Sequence, residues 1–238
     1  MRIETTAASR IVPPMRLFVT LVALTCPLLA AVPAEFEAAL KTFRGDPPRG
    51  WSYTQTTSAE GKSTVERYDA ARPEFDRWKL LQKDGRPPTE AELREYADAR
   101  SRRSRTGTAP KLVEQLDLPT LEKISDDAER ATFRSKLRPG ESRDHTAPFL
   151  RATLVLHKAT QTIESVELGS VSEFAPTFGV KIASLRTLMT YSLPAADRPT
   201  LPQKVETRIR GRAFLLKSLD GEMTVVYSDY RHVTPVAR

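Results

Sequence analysis

KVETRIRGRAFLLKSL, residues 204–219, is the stretch that decides the fold. Arg208, Arg210 and Arg212 alternate with Ile209, Gly211 and Ala213, the period of two that sends successive side chains to opposite faces of a strand. One wet face and one core face mark an antiparallel strand in a half-solvated sheet. Leu219-Asp220-Gly221-Glu222 supplies a hairpin turn, and MTVVYSDYRHV (223–233) pairs back. Upstream, VKIASLRTLMTYSL (180–193) reads as another long strand, closed by Pro194 and Pro199. FLRATLVLHKA (149–159) puts Leu150, Leu154 and Leu156 on one face, and QTIESVELGS (161–170) follows as its hairpin partner.

The N-terminal half continues the theme after one helix. Phe36, Ala39, Leu40 and Phe43 fall at helical spacing on one apolar face, and Gly45-Asp46-Pro47-Pro48 stops the run. WSYTQT (51–56) then alternates, with Trp51, Tyr53 and Gln55 on one side. Ala59-Glu60-Gly61-Lys62 turns the chain into STVERYDAA (63–71), and FDRWKLLQ (75–82) reads as a third strand. After Asp84–Pro88, Thr89 and Glu92 form a capping box, a helix start.

Beyond Arg100, the run SRRSRTGTAPK interleaves Arg102, Arg103 and Arg105 with small polar residues. This predicts a flexible Arg-rich insertion near 100–111. It reads either as a basic patch for phosphates or acidic partners, or as a solvated loop, which the absence of aromatics favours. LVEQLDLP (112–119) reads as a short strand or turn, and Asp126 to Leu137 as a helix with Ala128, Ala131 and Phe133 inward. Seven or more antiparallel strands with few helices predict an α+β chain: one strongly curved antiparallel sheet, an open half-barrel, with a few helices on its concave face. No internal repeat is visible, so one domain is expected.

The chain has 238 residues, 39% hydrophobic and 28% charged, too apolar for a disordered tail. Eighteen prolines and ten glycines argue against a helical bundle. The single cysteine, Cys26, excludes a disulfide scaffold and a cysteine-based zinc site. LFVTLVALTCPLLAA (17–31) follows Arg2, Arg10 and Arg16. It is short for a spanning helix of ~20 residues and suits the apolar core of a secretory signal. Cleavage is expected after Ala34, with residues 1–34 as signal and 35–238 as the domain. Met15 offers an alternative start. Lipidation at Cys26 would need a leucine and a small residue where Ala23 and Thr25 stand, so the expected form is an unanchored periplasmic protein. The net charge of +7 then points to lipid headgroups or acidic proteins and not to nucleic acid, and it suits peripheral membrane contact.

Nothing marks an enzyme. His145, His157 and His232 are scattered, and no metal-binding histidine pair, nucleophile elbow or glycine-rich phosphate loop occurs. Glu164 with Glu167, and Asp126 with Asp127, lack an acid–base spacing. No cofactor and no metal site is expected.

One resemblance emerges from the order of features. An N-terminal helix (36–43) precedes Tyr53-Thr54-Gln55, Arg72-Pro73, Trp78 and Asp84-Gly85, and the chain closes on Tyr227-Ser228-Asp229-Tyr230. Most of residues 35–233 thus resembles the LolA/LolB-type lipoprotein-sorting superfamily of the bacterial envelope. The resemblance implies a curved sheet wrapped round a helix, with an apolar cavity under a helical lid, and it gives Arg72 the part of a lid latch. The chain departs from the family at Pro87-Pro88 and the Arg-rich helix that follows.

A poorly filled concave face would leave an oily hollow, in which an acyl chain gains ~0.8 kcal/mol per buried CH₂. Trp51, Tyr53, Trp78, Leu80, Leu154, Leu156, Leu188 and Phe214 are the candidate lining or core residues. The expected function is a carrier for a lipid or acyl chain. The alternative is an envelope adaptor that recruits a protein partner through a sheet edge or the Arg100–Lys111 segment.

Overall fold

Alternation builds the sheet. In Leu150–His157, the side chains of Leu150, Ala152, Leu154 and Leu156 are buried while every residue between them is half-buried. The computed structural model describes residues 32–103, 111–139, 145–214 and 217–233, apart from the side chains of 102 and 103. Residues 1–31 of the expected signal segment, Cys26 among them, and Arg105 lie outside the described residues.

The chain runs α1 (Ala34–Thr42), β1 (Trp51–Ala59), β2 (Lys62–Tyr68), β3 (Trp78–Lys83), α2 (Glu90–Arg103), α3 (Leu112–Gln115), β4 (Leu116–Asp126), β5 (Arg130–Leu137), β6 (Leu150–His157), β7 (Thr162–Ser170), β8 (Phe174–Thr177), β9 (Val180–Tyr191), β10 (Pro202–Ala213), β11 (Lys217–Ser218) and β12 (Gly221–His232). All twelve strands join one antiparallel sheet in the order β3-β2-β1-β12-β10-β9-β7-β6-β5-β4, with β8 and β11 pairing off β9 and β10. The sheet does not close; β3 and β4 are its edges. No described helix is long and apolar enough to cross a membrane.

Bulges interrupt the ladder and bend it. Between Ser52 and Thr54 the register against β12 slips, and Asp229 takes a left-handed φ of 52°. The extra residue turns both Tyr227 and Tyr230 toward Tyr53, with ring centroids 5.8 and 5.6 Å away. Gly211 sits at another slip, against β9. A Cβ there would lie 2.5 Å from the Lys181 carbonyl oxygen, so only glycine lets the strands approach.

α1 lies on one face of the sheet and inserts Phe36, fully buried, against Phe133 at 4.1 Å between ring centroids. Leu116, Leu154, Leu156 and Ile163 complete that core. The capping box at Thr89 and Glu92 forms as expected: the Glu92 carboxylate accepts from the Thr89 amide at 2.8 Å, and the Glu92 amide donates to the Thr89 hydroxyl at 3.4 Å.

Two local readings are corrected. The helix expected from Asp126 to Leu137 is instead a hairpin turn followed by β5. The Asp127 carboxylate accepts from the amides of Glu129 and Arg130, an Asx-type turn. Ala131, Phe133 and Ser135 then alternate inward, with Phe133 opposite Leu154. Pairing on both sides overrides the local helical spacing. The expected third strand starts late: Glu74–Asp76 is a 3-10 turn that leaves Phe75 94% exposed, and the ladder begins only at Trp78.

Candidate functional site

After α1 the chain crosses the sheet as a strap. Gly45 and two prolines prevent further helix, so residues 43–49 run as irregular backbone before β1. Phe43 packs edge-on against Tyr191 of β9, 4.9 Å between centroids. Between this strap, α3 and the sheet lies a cavity of about 740 Å³. Its walls are apolar: Leu112 and Leu137 at one end, and Ala152, Val166, Leu168 and Met189 on the sheet floor. Exposed Arg44, Asp46, Arg49 and Lys111 stand at its mouth. A pocket of this size and lining suits a small apolar or amphiphilic ligand.

Asp46 borders this cavity. Burial pushes the hydroxyls of Tyr191 and Tyr227 up, and the Asp46 charge adds to both shifts. Tyr191 stays protonated and forms part of the cavity wall. The Tyr191 hydroxyl donates to the Met189 sulfur at 3.7 Å.

A second cavity, of about 540 Å³, lies where α2 meets the β2–β3 end. Tyr68, Phe75, Trp78, Tyr96 and Arg100 line it. Arg100 lies 4.0 Å above the Trp78 ring, a cation–π contact that draws this arginine out of any free basic patch. Tyr53 stacks on Tyr68 at 5.1 Å and meets Trp78 edge-on at 5.7 Å.

The eight candidate lining residues separate into three groups, and none lines the larger cavity. Leu154 and Leu156 are fully buried beneath α1 as packed core. Trp51, Tyr53, Trp78 and Leu80 gather at the β1–β3 end, where Trp78 alone borders the smaller cavity. Leu188 and Phe214 do not face inward. Leu188 pairs between Glu167 and Glu206, on the opposite face from Met189, because neighbours in a strand alternate sides. Phe214 has left the ladder and is 68% exposed.

Arg72 is exposed in the turn after β2; it pairs with Asp69 at 3.4 Å, and its carbonyl accepts from Arg77. The side chains of Arg102 and Arg103 fall outside the described residues. The histidines do not converge: His157 bonds Thr160, and His232 packs on Trp51 at 5.3 Å. Among the described residues no group of three or more His, Cys, Asp and Glu is placed to hold a metal ion.

What sequence reasoning passed over was the small residue. Ala152 sits in a row with Leu150, Leu154 and Leu156, and that missing bulk lies on the cavity floor.

The chain matches no protein-family model and no curated protein. Its fold is similar to the crystal structure of a domain from Vibrio parahaemolyticus named for outer membrane lipoprotein sorting, at 10% identity and a TM-score of 0.37, over 86% of this chain and 93% of that one. The superposition is loose, and the functional reading rests on the cavity itself.

Proposed function

We propose that this chain is an exported, periplasmic binding protein of the cell envelope that holds a lipid or acyl chain noncovalently, without catalysing a reaction on it. The cavity of about 740 Å³ beneath the 43–49 strap carries the reading. Its floor is aliphatic, which suits a hydrocarbon chain, and its mouth is charged, which suits a polar head. Each methylene buried there contributes ~0.8 kcal/mol. The roof is a loop without bulky side chains beyond Phe43, a cover able to lift for entry and release. The N-terminal signal pattern supports the compartment.

Native mass spectrometry of the chain after mild extraction is expected to show a lipid adduct. Leu168→Trp, which places an indole in the cavity, is expected to remove the adduct while leaving the thermal midpoint within a few degrees. A bare wild-type chain, or an adduct unaffected by Leu168→Trp, would count against the reading.

A further inference from the structure

Two hairpin tips at the same end of the sheet each present a phenylalanine to solvent. Phe178 occupies the β8–β9 turn and is 92% exposed; Phe214 follows β10 and is 68% exposed. The tips touch: the Phe214 amide donates to the Gly179 carbonyl at 2.6 Å.

The local backbone sets where the Phe214 ring lies. Phe214 holds a φ of 49°, a left-handed conformation that asparagine or glycine adopts readily and a bulky side chain adopts at a cost. Gly179, at φ 77°, leaves room beside it: a Cβ there would come within 2.5 Å of the Phe214 ring. The Phe214 ring therefore rests against Gly179, and most of it stays in solvent.

Charge indicates the partner. Arg210 and Arg212 lie on the solvent side of β10 leading to the tip, and Lys217 follows it; all three are exposed. Neighbouring cations are neutralised within the chain, Lys181 by Glu173 at 2.7 Å and Arg208 by Glu222 at 3.5 Å. Among the described residues no carboxylate forms an ion pair with Arg210, Arg212 or Lys217. Two apolar rings flanked by three free cations match a bilayer interface with anionic headgroups. They do not match a protein partner, which needs a shaped patch of ~800 Å² per side.

We propose that this end of the sheet docks on an anionic bilayer, Phe178 and Phe214 entering the headgroup region while Arg210, Arg212 and Lys217 engage phosphates. This docking is independent of whether the cavity beneath the strap takes a ligand.

The test uses residues 35–238, the exported form that the signal pattern predicts. Sedimentation with phosphatidylcholine vesicles containing phosphatidylglycerol is expected to carry the wild type down, and pure phosphatidylcholine to carry far less. The double variant Phe178→Ser/Phe214→Asn is expected to lose at least about tenfold in vesicle affinity. Its thermal midpoint should hold or rise, because asparagine relieves the left-handed strain. Arg210→Gln/Arg212→Gln is expected to weaken binding to the anionic vesicles only, and to flatten its dependence on salt. Wild type left in the supernatant, or vesicle binding indifferent to the phenylalanine variants, would overturn the proposal. So would a double variant whose only change is lost self-association in sedimentation velocity, which would make the tips an interface between copies.

Discussion

Two regions of one sheet face behave in opposite ways. Under α1, Phe36, Phe133, Leu154 and Leu156 interlock at no more than 1% exposure. A short way along the same strands, Ala152 and Leu168 floor a cavity of about 740 Å³. β6 and β7 supply both regions, so the strands do not make the difference. The cover does. α1 delivers Phe36 into the sheet, whereas the strap sets its one ring, Phe43, against Tyr191 at the cavity's side and follows it with Gly45, Asp46, Pro47 and Pro48, which have little to insert. A face is sealed where a helix brings bulk to it and hollow where a proline loop spans it.

Phe36→Ala would convert the sealed region into a second hollow. It is expected to destabilise the chain by about 3–5 kcal/mol, read from the denaturant midpoint. If the hollow region is already a tolerated void, a substitution there behaves differently. Ala152→Val, beside the cavity, is expected to change stability by less than ~1.5 kcal/mol while narrowing the site. Equal and large losses at both positions would erase the contrast.

Much of the sealed half was legible in the sequence. The helical spacing of Phe36, Ala39 and Leu40 and the alternation of Leu154 and Leu156 report burial directly, because burial is what sets those periods. The hollow was not legible. Bulky residues advertise a core, and the aromatic lining candidates pack on other rings instead, Tyr53 on Trp78 and Trp51 on His232 and Tyr230. A cavity is defined by what is small and by what fails to cover it, and neither leaves a periodic mark. The bulge at Asp229 was hidden for a similar reason: an inserted residue breaks the alternation that strand reading relies on. β5 reads as helix from sequence because Ala128, in the turn, and Ala131, in the strand, fall three residues apart, and only the partners on either side decide the matter.

Acid should separate the edge of the sheet from its core. Hydrogen bonds from Lys123 and then Lys158 hold the Asp126 carboxyl at about 2, below its ordinary 3.8. Glu92 is lowered too, first by Arg86 and then by the Thr89 amide. A depressed carboxylate contributes stability that is complete above its unfolded pKa and is lost as pH falls through the folded one. Amides of the β4–β5 turn are therefore expected to lose protection against exchange as pH drops from 3.8 toward about 2, and those at the start of α2 as it drops below 4.5, while those around Phe133 stay protected. Simultaneous loss of both would mean that the core itself carries the acid sensitivity.

The smallest effect is expected at the other end of the sheet. Arg100→Ala removes the guanidinium above Trp78 and should cost about 0.5–1 kcal/mol. Tryptophan emission should shift to the red as the ring gains water. No spectral change would place that ring outside the influence of α2.

The hollow itself is tested most directly by a series of alkyl carboxylates of increasing chain length, titrated calorimetrically against wild type and Leu168→Trp. The cavity predicts that affinity for the wild type climbs roughly fourfold per methylene, the equivalent of ~0.8 kcal/mol, and then levels off once the space is full. Leu168→Trp should level off at a shorter chain. Affinity that is flat with chain length, or that climbs without limit and identically in both proteins, would contradict a bounded acyl site beneath the strap.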